Sequence, residues 1–474
     1  MLLRQVFDPY LAQYAYLIGC QKTGEALIID PERDVDRYRV LARENGLRIT
    51  AVAETHIHAD FVSGARELAQ DSEVRLFLSG EGGADWSYRW TGNRDGVQLL
   101  HHGDTFRVGN IEVQALHTPG HTPEHICFVI IDRGGGASEP VAIATGDFLF
   151  VGDVGRPDLL ETAAGQANIA ASSAKALLGS LRDRLGGLAD FVQVLPGHGA
   201  GSACGKSLGA VPTSTLGYER RFNLPFKLSL TDSESFLKDI LQGQPDPPLY
   251  FATMKRVNRD GVAVTGGVPR PTKLSAADFA STATNKNTFV VDGRMDLSAY
   301  AKAHFPGAIY APLRSAFFTA AAGSFLGEDE GILLILENES DVDLAARQLY
   351  RIGLDKLLGW ISVADAQAAG LLKASTKEVA FSAFDPKSAL AEGVILDVRT
   401  SSEHAARNIP GAISVPYTRL LARLTEVPRG KRLYVHCASG KRAALATSFL
   451  ASRGIEAIHV NGPFESRGTS CGIG

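Results

Sequence analysis

The stretch ETHIHADF, residues 54–61, places two histidines and an aspartate close together and then ends on an apolar ring. The polar side chains are His56, His58 and Asp60, and the ring is Phe61. The apolar run ITAVA precedes them and predicts a buried strand that ends at the cluster. Because side chains two residues apart on a strand point the same way, His56 and His58 can face one site. The stretch therefore predicts a sheet that carries a metal site at the end of one strand.

Other candidate ligands also lie where predicted strands end. The loop HTPGHTPEH supplies His117, His121 and His125, the run VAIATGD ends on Asp147, and FVQVLPGH ends on His198. Such strand ends collect functional side chains because a rigid sheet positions the loops that carry them. The repeated pattern indicates one metal-binding cluster rather than scattered core histidines.

Composition limits the class of protein. The chain has 474 residues, of which 45% are hydrophobic and 21% are charged, as in soluble proteins of two to four domains. A net charge of −4 argues against a nucleic-acid partner, and no apolar run is long enough to cross a membrane. Five irregularly spaced cysteines suit a reducing compartment, so we expect a cytoplasmic protein.

The second half of the chain contains an internal repeat. TFVVDGR…HFPGAIYAPL, residues 288–313, matches GVILDVR…NIPGAISVPY, residues 393–417, and each copy alternates predicted strands and helices. This alternation is typical of α/β domains with parallel sheets. With a turn-rich segment near residue 260, it predicts three domains: 1–260, 261–372 and 373–474.

The second copy contains LYVHCASGKRAALA, which predicts a strand, a tight loop and a helix. Cys437 opens the loop, and backbone N–H groups at a helix N-terminus favour its nucleophilic thiolate form. The predicted sulfur- and anion-binding residues follow it: Ala438, Ser439, Gly440, Lys441 and Arg442. The first copy has Glu337 at the cysteine position, so it lacks a nucleophile.

THIHAD, TPGHT and TGD, in this order and spacing, resemble the metallo-β-lactamase superfamily over about residues 1–250. The resemblance implies an αββα sandwich. The dinuclear zinc hydrolases of this superfamily use His-x-His-x-Asp-His, and Phe61 replaces the last histidine here. A second metal would be left with Asp60, Asp147 and His198, so we expect a single metal.

Within the superfamily, the segment is similar to the persulfide dioxygenases, which hold one Fe(II) with two histidines and one aspartate. Carried over by motif, the ligands are His56, His121 and Asp147, and one Fe(II) per subunit is expected. Such a set leaves positions open for a sulfur substrate and dioxygen. In the zinc alternative, His58 is a fourth ligand. The residues expected to orient ligands and water are His58, Asp60 and His198.

CASGKR, LDVRTSSEH and NIPGAISVP resemble the rhodanese sulfurtransferases, whose cysteine carries a transferable sulfur. The loop is one residue shorter than the Cys-x5-Arg loop of cysteine phosphatases. The resemblance implies that Cys437 carries sulfur and that Lys441 and Arg442 attract thiosulfate or sulfite. Asp397 and Arg399 are expected to tie loops together, and the first copy is expected to be an inactive rhodanese domain.

The whole layout resembles multidomain persulfide dioxygenase–sulfurtransferase fusions of bacterial sulfide detoxification. This implies that a small thiol persulfide and O2 yield sulfite and free thiol, and that sulfane sulfur moves to sulfite or from thiosulfate. A homo-oligomer is expected. Two alternatives remain: a zinc thioesterase of glyoxalase II type with accessory rhodanese domains, and a sulfur sensor or carrier without turnover.

Two loops carry further expectations. In PGHGAGSACGKSLG, Cys204 follows a predicted strand end, so we expect it close to the metal pocket. It is either a small loop residue or a relay for sulfane sulfur whose thiol pKa Lys206 lowers. In GDFLFVGDVGRPDL, we expect Asp153, Arg156 and Asp158 to form an ion-pair network that holds the loop.

Overall fold

The computed structural model describes residues 1–92, 94–162 and 169–464. The chain divides into two compact units, the first formed by Met1–Pro247 with Phe251–Val268 and the second by Pro248–Tyr250 with the chain from Pro269 onward. The division after Val268 lies beyond the predicted boundary at residue 260. No helix of the described ranges has the length and apolarity needed to cross a membrane.

The first unit contains two six-stranded sheets. The strands of the first sheet follow one another in chain order: β1 Leu2–Asp8, β2 Gln13–Cys20, β3 Glu25–Ile29, β4 Arg48–Ala53, β5 Arg75–Ser79 and β6 Val97–Leu100. Those of the second sheet also lie side by side in chain order: β7 Thr105–Val108, β8 Ile111–His117, β9 Ile126–Asp132, β10 Ala142–Gly146, β11 Gln193–Pro196 and β12 Ser214–Thr215. Both sheets are mixed, with β3 to β6 parallel in the first and β10 parallel to β11 in the second.

Strand alternation separates the core of this unit into layers. On β2, Tyr16 and Ile18 belong to the core between the two sheets, together with Phe128 of β9. The neighbouring Leu17 belongs to a second core that covers the outer face of the first sheet. Helices close both outer faces, as Leu177 shows on the second sheet, so the unit is the expected αββα sandwich.

The helices of the first unit are listed here in chain order: α1 Asp36–Glu44, α2 Ala65–Leu68, α3 Leu159–Thr162, α4 Ala170–Leu185, α5 Leu216–Phe222, α6 Leu224–Thr231, α7 Ser233–Ile240 and α8 Phe251–Asp260. The loops that leave β4, β8, β10 and β11 carry the polar clusters predicted from the sequence. Their meeting point depends on Gly146, which has a φ of +47°. A Cβ at this position would collide with the side chain of Thr55, so only glycine fits.

The second unit contains a four-stranded and a five-stranded sheet, and every strand pair in both is parallel. The first sheet has the order β14-β13-β15-β16: β13 Thr288–Asp292, β14 Ile309–Tyr310, β15 Gly331–Leu336 and β16 Leu357–Ser362. The second has the order β17-β21-β20-β18-β19: β17 Glu378–Ala380, β18 Gly393–Asp397, β19 Ile413–Ser414, β20 Arg432–His436 and β21 Ile458–Asn461. The parallel α/β architecture predicted for both copies is confirmed.

The helices of this unit alternate with its strands: α9 Ala276–Ala283, α10 Leu297–Lys302, α11 Ala316–Phe325, α12 Asp341–Arg351, α13 Val363–Ala368, α14 Pro386–Glu392, α15 Ser401–Ala406 and α16 Lys441–Ser452. The two copies agree in detail, because the central strand β15 leads into Glu337 where β20 leads into Cys437. The predicted boundary at residue 372 falls between α13 and β17. The predicted last domain extends to residue 474, and its final part lies outside the described residues.

Candidate active site

His56, His121 and Asp147 come together although they lie far apart in the chain. One donor atom from each lies within 4.8 Å of the other two, and all three side chains are buried. His121 Nε2 is 3.6 Å from Asp147 Oδ2. The geometry therefore brings together the three residues that the sequence motifs single out as ligands.

Hydrogen bonds determine which nitrogen of each histidine faces the cluster. The Thr55 hydroxyl donates to Asp30 Oδ2 at 2.8 Å, so it can only accept from His56 Nδ1, 3.0 Å away. His121 Nδ1 donates to the carbonyl of Arg156 at 3.0 Å. With both Nδ1 atoms protonated, each Nε2 keeps a lone pair, which is how protein histidines are oriented for metal ligation.

The charge state of the cluster fits a bound cation. Burial, followed by the neighbouring histidines, lowers the pKa of His56 well below its usual value, and burial also lowers the pKa of His121. Both rings are therefore neutral, the form that binds metals. Neither carboxylate oxygen of buried Asp147 accepts a hydrogen bond from the described residues. A buried carboxylate without such partners is costly, and a cation between these three donors would compensate it.

His125 holds Asp147 in place without joining the cluster. The backbone N–H of Asp147 donates to His125 Nε2 at 3.2 Å, and His125 Nδ1 lies 2.9 Å from Thr118 Oγ1. Burial lowers the pKa of His125 well below its usual value. His117 Nε2 instead lies 2.8 Å from the carbonyl oxygen of Pro123. Of the three histidines in this motif, only His121 therefore belongs to the donor set.

His58 lies next to the donor set but outside it. Its Nε2 is 3.1 Å from Asp30 Oδ1 and 3.4 Å from Glu54 Oε2, and its ring packs on Phe61 at 4.4 Å. Burial opposes a charged ring, but Asp30 and Glu54 outweigh it and raise the pKa of His58 well above its usual value. Because its Nε2 is engaged by two carboxylates, His58 is arranged to orient neighbouring groups.

The cysteine loop of the second unit is built on backbone groups. Cys437 is buried, and its Sγ accepts from the N–H groups of Gly440 at 3.2 Å and Ala443 at 3.4 Å. Gly440 has a φ of +90° and leads directly into α16, whose first residue is Lys441. The sulfur thus lies at the N-terminus of a twelve-residue helix, where the helix dipole stabilises negative charge.

Arg442 is paired with a carboxylate that the sequence analysis did not single out. Its guanidinium donates to both carboxylate oxygens of Glu403, at 2.6 and 2.7 Å. Burial would raise the pKa of Glu403, but Arg442 and Thr400 lower it to about 2. The attraction of an anion by Lys441 and Arg442 stays a prediction, but the pairing with Glu403, 39 positions away in the chain, offsets the charge of Arg442.

Comparison with known proteins agrees with this geometry. The model of the metallo-beta-lactamase superfamily matches residues 9–198, and that of the rhodanese-like domain matches residues 384–466. The crystal structure of a metallo-beta-lactamase from Staphylococcus aureus is 39% identical, with a TM-score of 0.67, and the match covers 76% of this chain and 99% of that one. The chain belongs to the metallo-β-lactamase superfamily.

Curated relatives with different activities resemble part of the chain. The persulfide dioxygenase ETHE1, mitochondrial, of Bos taurus is 31% identical over 162 residues, which is 33% of this chain and 56% of that protein. The hydroxyacylglutathione hydrolase of Polaromonas sp. is 33% identical over 187 residues, which is 39% of this chain and 61% of that protein. The chain thus spans little more than half the length of each, and the two relatives carry different activities.

Next to the three donors, the metallo-β-lactamase domain holds a second polar group. One atom each from Asp60, His198 and Cys204 lies within 4.8 Å of the others. His198 Nε2 is 3.1 Å from Asp60 Oδ2 and 3.4 Å from Asp147 Oδ1, and its Nδ1 donates to the carbonyl of Ala12 at 3.1 Å. His198 therefore links the two groups, and Cys204 lies close to the donor set, as expected.

Lys206 does not activate Cys204. Burial raises the pKa of the Cys204 thiol to about 12. The ammonium group of Lys206 instead pairs with Asp239, at 2.8 Å from Oδ2. The expectation that Lys206 lowers the thiol pKa is wrong, because sequence proximity did not bring the two groups into contact.

Arg156 ties its loop down as expected. Its guanidinium donates to both carboxylate oxygens of Asp158, at 2.9 and 2.7 Å, and to the carbonyls of Ala203 at 3.0 Å and Pro245 at 2.6 Å. The carbonyl of Arg156 receives the His121 N–H described above. The expected Arg156–Asp158 pair is therefore present, and Arg156 also orients a candidate ligand. Asp153 does not pair with Arg156 among the described residues, and its Oδ2 instead accepts from the backbone N–H groups of Lys206 at 2.9 Å and Ser207 at 2.8 Å.

In the rhodanese-like domain, Asp397 and Arg399 form the expected internal tie. Arg399 donates to both oxygens of Asp397 and, at 2.6 Å, to the carbonyl of Arg407. The first copy repeats this pair with Asp292 and Arg294. The structural role of the pair is confirmed.

Sequence reasoning missed several residues that hold these sites: Asp30, Glu54, Thr55, Glu124 and Glu403. Glu124 accepts from the N–H of Ile57 at 2.7 Å, and burial raises the pKa of Glu124 to about 7. Asp30 could have been found, since it ends β3 just as the other clusters end their strands. Glu403 carried no such signal, because its partner lies 39 positions away in the chain.

Proposed function

We propose that the metallo-β-lactamase domain oxidises a low-molecular-weight thiol persulfide with O2 to sulfite and free thiol at a mononuclear non-haem Fe(II). The observation that carries this proposal is the buried set of two neutral imidazoles and one carboxylate whose oxygens accept no hydrogen bond from the described residues: His56, His121 and Asp147. A ferrous ion held by two histidines and one carboxylate supplies redox chemistry with dioxygen and leaves positions open for substrates. The similarity to a bovine persulfide dioxygenase supports the same choice.

Groups of the chain itself orient the metal-donor side chains and exclude water from one side of the site. The Thr55 hydroxyl and the Arg156 carbonyl hold the two imidazoles in the ligating tautomer. Phe61, Phe148 and Phe150 are fully buried beside the polar clusters, and their rings exclude water from one side. A sulfur anion entering such a site exchanges water for fixed groups of the protein, which strengthens electrostatic interactions there.

We further propose that Cys437 of the rhodanese-like domain transfers sulfane sulfur. The Cys437 thiolate attacks the outer sulfur of R–S–SH, the S–S bond breaks, and the thiol leaves as RS⁻ with the bonding electrons. Sulfite then attacks the outer sulfur of Cys437–S–SH, which gives thiosulfate, a proton and the free Cys437 thiolate. No external oxidant or reductant is consumed. The N–H groups of Gly440 and Ala443 stabilise the sulfur that carries the charge.

The first copy of the repeat, residues 261–372, is proposed to be an inactive rhodanese-like domain. Its strand order and Asp292–Arg294 pair parallel those of the second copy. Glu337 stands at the nucleophile position, and Asp341 pairs with Arg314 at 2.6 Å. A carboxylate cannot carry sulfane sulfur, so this copy has a structural or assembly role in the proposal.

A second candidate is a zinc-dependent thioester hydrolase of glyoxalase II type. The similarity to a hydroxyacylglutathione hydrolase favours it. It requires a metal-bound water instead of a dioxygen position, and Phe61 at the last position of the HxHxDH motif counts against a dinuclear site.

Metal content and oxygen consumption distinguish the two candidates. Protein purified anaerobically from iron-supplied cells should contain about one iron per chain, as a single two-histidine, one-carboxylate set implies. It should consume oxygen with glutathione persulfide and produce thiosulfate when sulfite accumulates. Two zinc ions with thioesterase activity and no oxygen uptake would establish the hydrolase instead.

The Cys437→Ser variant tests the division of labour. Oxygen uptake should continue, and the product should change from thiosulfate to sulfite, because the two reactions use separate sites. Loss of oxygen uptake in this variant would contradict two independent activities.

A further inference from the structure

Two cationic side chains, Lys441 and Arg442, are neighbours in the Cys437 loop, but they differ in whether a carboxylate is paired with them. Lys441 is exposed and forms no ion pair within the described ranges, whereas Arg442 is engaged by Glu403. The Arg442–Glu403 contact uses both terminal guanidinium nitrogens and both carboxylate oxygens, at 2.6 and 2.7 Å. Bidentate pairs of this kind are among the strongest polar contacts in proteins.

Glu403 is itself held in place. Its Oε2 accepts from the backbone N–H of Thr400 at 3.0 Å and from the Thr400 hydroxyl at 2.9 Å. These contacts are part of the capping box that starts α15. Rotating Glu403 away from Arg442 would therefore also break a helix cap, so the neutralised state of Arg442 is built into the fold.

Arg442 lies close enough to the reacting sulfur to influence what binds there. The next residue, Ala443, donates its N–H to Cys437 Sγ at 3.4 Å, and the thiolate and Arg442 interact electrostatically. Arg399 adds no free charge, because it is paired with Asp397. Of these cationic side chains of the described residues, only Lys441 therefore has no carboxylate partner.

We propose that Glu403 is a specificity-determining positioning residue: by neutralising Arg442, it makes the Cys437 site favour a thiol persulfide over thiosulfate as sulfur donor. The inference rests on the proposed sulfurtransferase function and names its donor class. Thiosulfate is a compact dianion, whereas a persulfide carries at most one charge on its reacting sulfurs. Removing one cation therefore weakens thiosulfate binding more than persulfide binding. The same effect speeds release of thiosulfate when it is the product.

The test compares sulfur loading of Cys437 by the two donors. Wild-type protein and the Glu403→Gln variant are mixed anaerobically with thiosulfate or glutathione persulfide, so that no donor is lost to oxygen. Quenched samples are analysed by mass spectrometry for one added sulfur atom on the Cys437 peptide. The matched control is Glu392→Gln, which also removes a carboxylate paired with an arginine, Arg432. That pair lies at the opposite end of β20 from Cys437.

Glu403→Gln should raise the second-order loading rate with thiosulfate on the order of tenfold, because a dianion gains a free cation nearby. Loading by the persulfide should change much less, and Glu392→Gln should change neither rate. The thiosulfate rate of the Glu403 variant should also fall more steeply with salt than that of wild type, since more charge is involved. A purely structural defect would slow the loading of Cys437 by both donors and would not steepen the salt dependence of the thiosulfate rate.

Several outcomes would overturn the inference. An unchanged ratio of thiosulfate to persulfide loading in the Glu403 variant would do so, as would the same shift in the Glu392 control. If the variant does not fold, wild type alone decides: loading by thiosulfate as fast as by the persulfide refutes the inference. Failure of wild type to load from either donor would instead refute the proposed sulfurtransferase function.

Discussion

Replacing Thr55 by valine should weaken metal binding without changing a metal ligand. Thr55 is fully buried, and its hydroxyl links His56 Nδ1 at 3.0 Å to Asp30 Oδ2 at 2.8 Å. Valine keeps nearly the same volume but removes this link. The backbone N–H of Thr55 still donates to Asp30 Oδ1 at 2.7 Å, so the loop keeps one of its anchors.

The size of the effect follows from the groups left without partners. The His56 Nδ1–H and one Asp30 oxygen both become unsatisfied in the core, which costs about 3 kcal/mol of unfolding free energy. For a domain of this size, that corresponds to a fall in Tm of about 6–12 °C for the metal-free protein. His56 also loses the contact that selects its ligating tautomer. Loss of such a supporting partner typically reduces metal affinity about 10–100-fold.

Chelator competition measures the affinity, and thermal unfolding measures the stability. Thr145→Val is the matched control, because Thr145 is also buried but donates only to the carbonyls of Leu149, at 2.6 Å, and Leu195, at 3.3 Å. It should lose stability and keep its metal affinity. The reasoning is refuted if Thr55→Val retains metal within about threefold of wild type, or if the control loses as much affinity.

Three further predictions concern buried polar groups. Asn258→Ala should lower the unfolding free energy by about 2–4 kcal/mol in urea titrations, because Asn258 donates to the carbonyls of His58 at 2.8 Å and Phe61 at 2.7 Å. An unchanged midpoint of the urea titration would contradict this prediction. Iodoacetamide should alkylate Cys204 slowly in native protein at neutral pH and quickly after denaturation, since burial raises its pKa to about 12; fast native alkylation would show an accessible thiolate. Burial raises the pKa of Glu124 from 4.5 to about 7, so ionisation should destabilise the fold progressively as pH rises through this window. Glu124→Gln should therefore gain Tm relative to wild type towards pH 8 and not at pH 4, and a pH-independent difference would argue against the shift.

The sequence was sufficient to predict the fold class and the candidate donors. Apolar runs that end in polar clusters encode strands followed by loops, and this signal is local. Spacing and residue type marked a metal cluster at these strand ends, and the resemblance to the persulfide dioxygenases singled out His56, His121 and Asp147 within it. The internal repeat likewise places Cys437 and Glu337 at equivalent positions.

What surrounds these residues was decided by the tertiary structure. The Arg442–Glu403 pair, the Asp239 partner of Lys206 and the Arg156 carbonyl that orients His121 all join positions distant in the chain. Local periodicity carries no information about such partners, because they are set by how whole sheets and helices pack. A charged side chain that has no evident partner in the sequence can therefore be paired with an opposite charge in the fold. The sequence by itself determined the fold class and the candidate donors and nucleophile, because these follow from local motifs. The packing of the chain decided which further side chains surround them, and with these the protonation, orientation and charge pairing at each site.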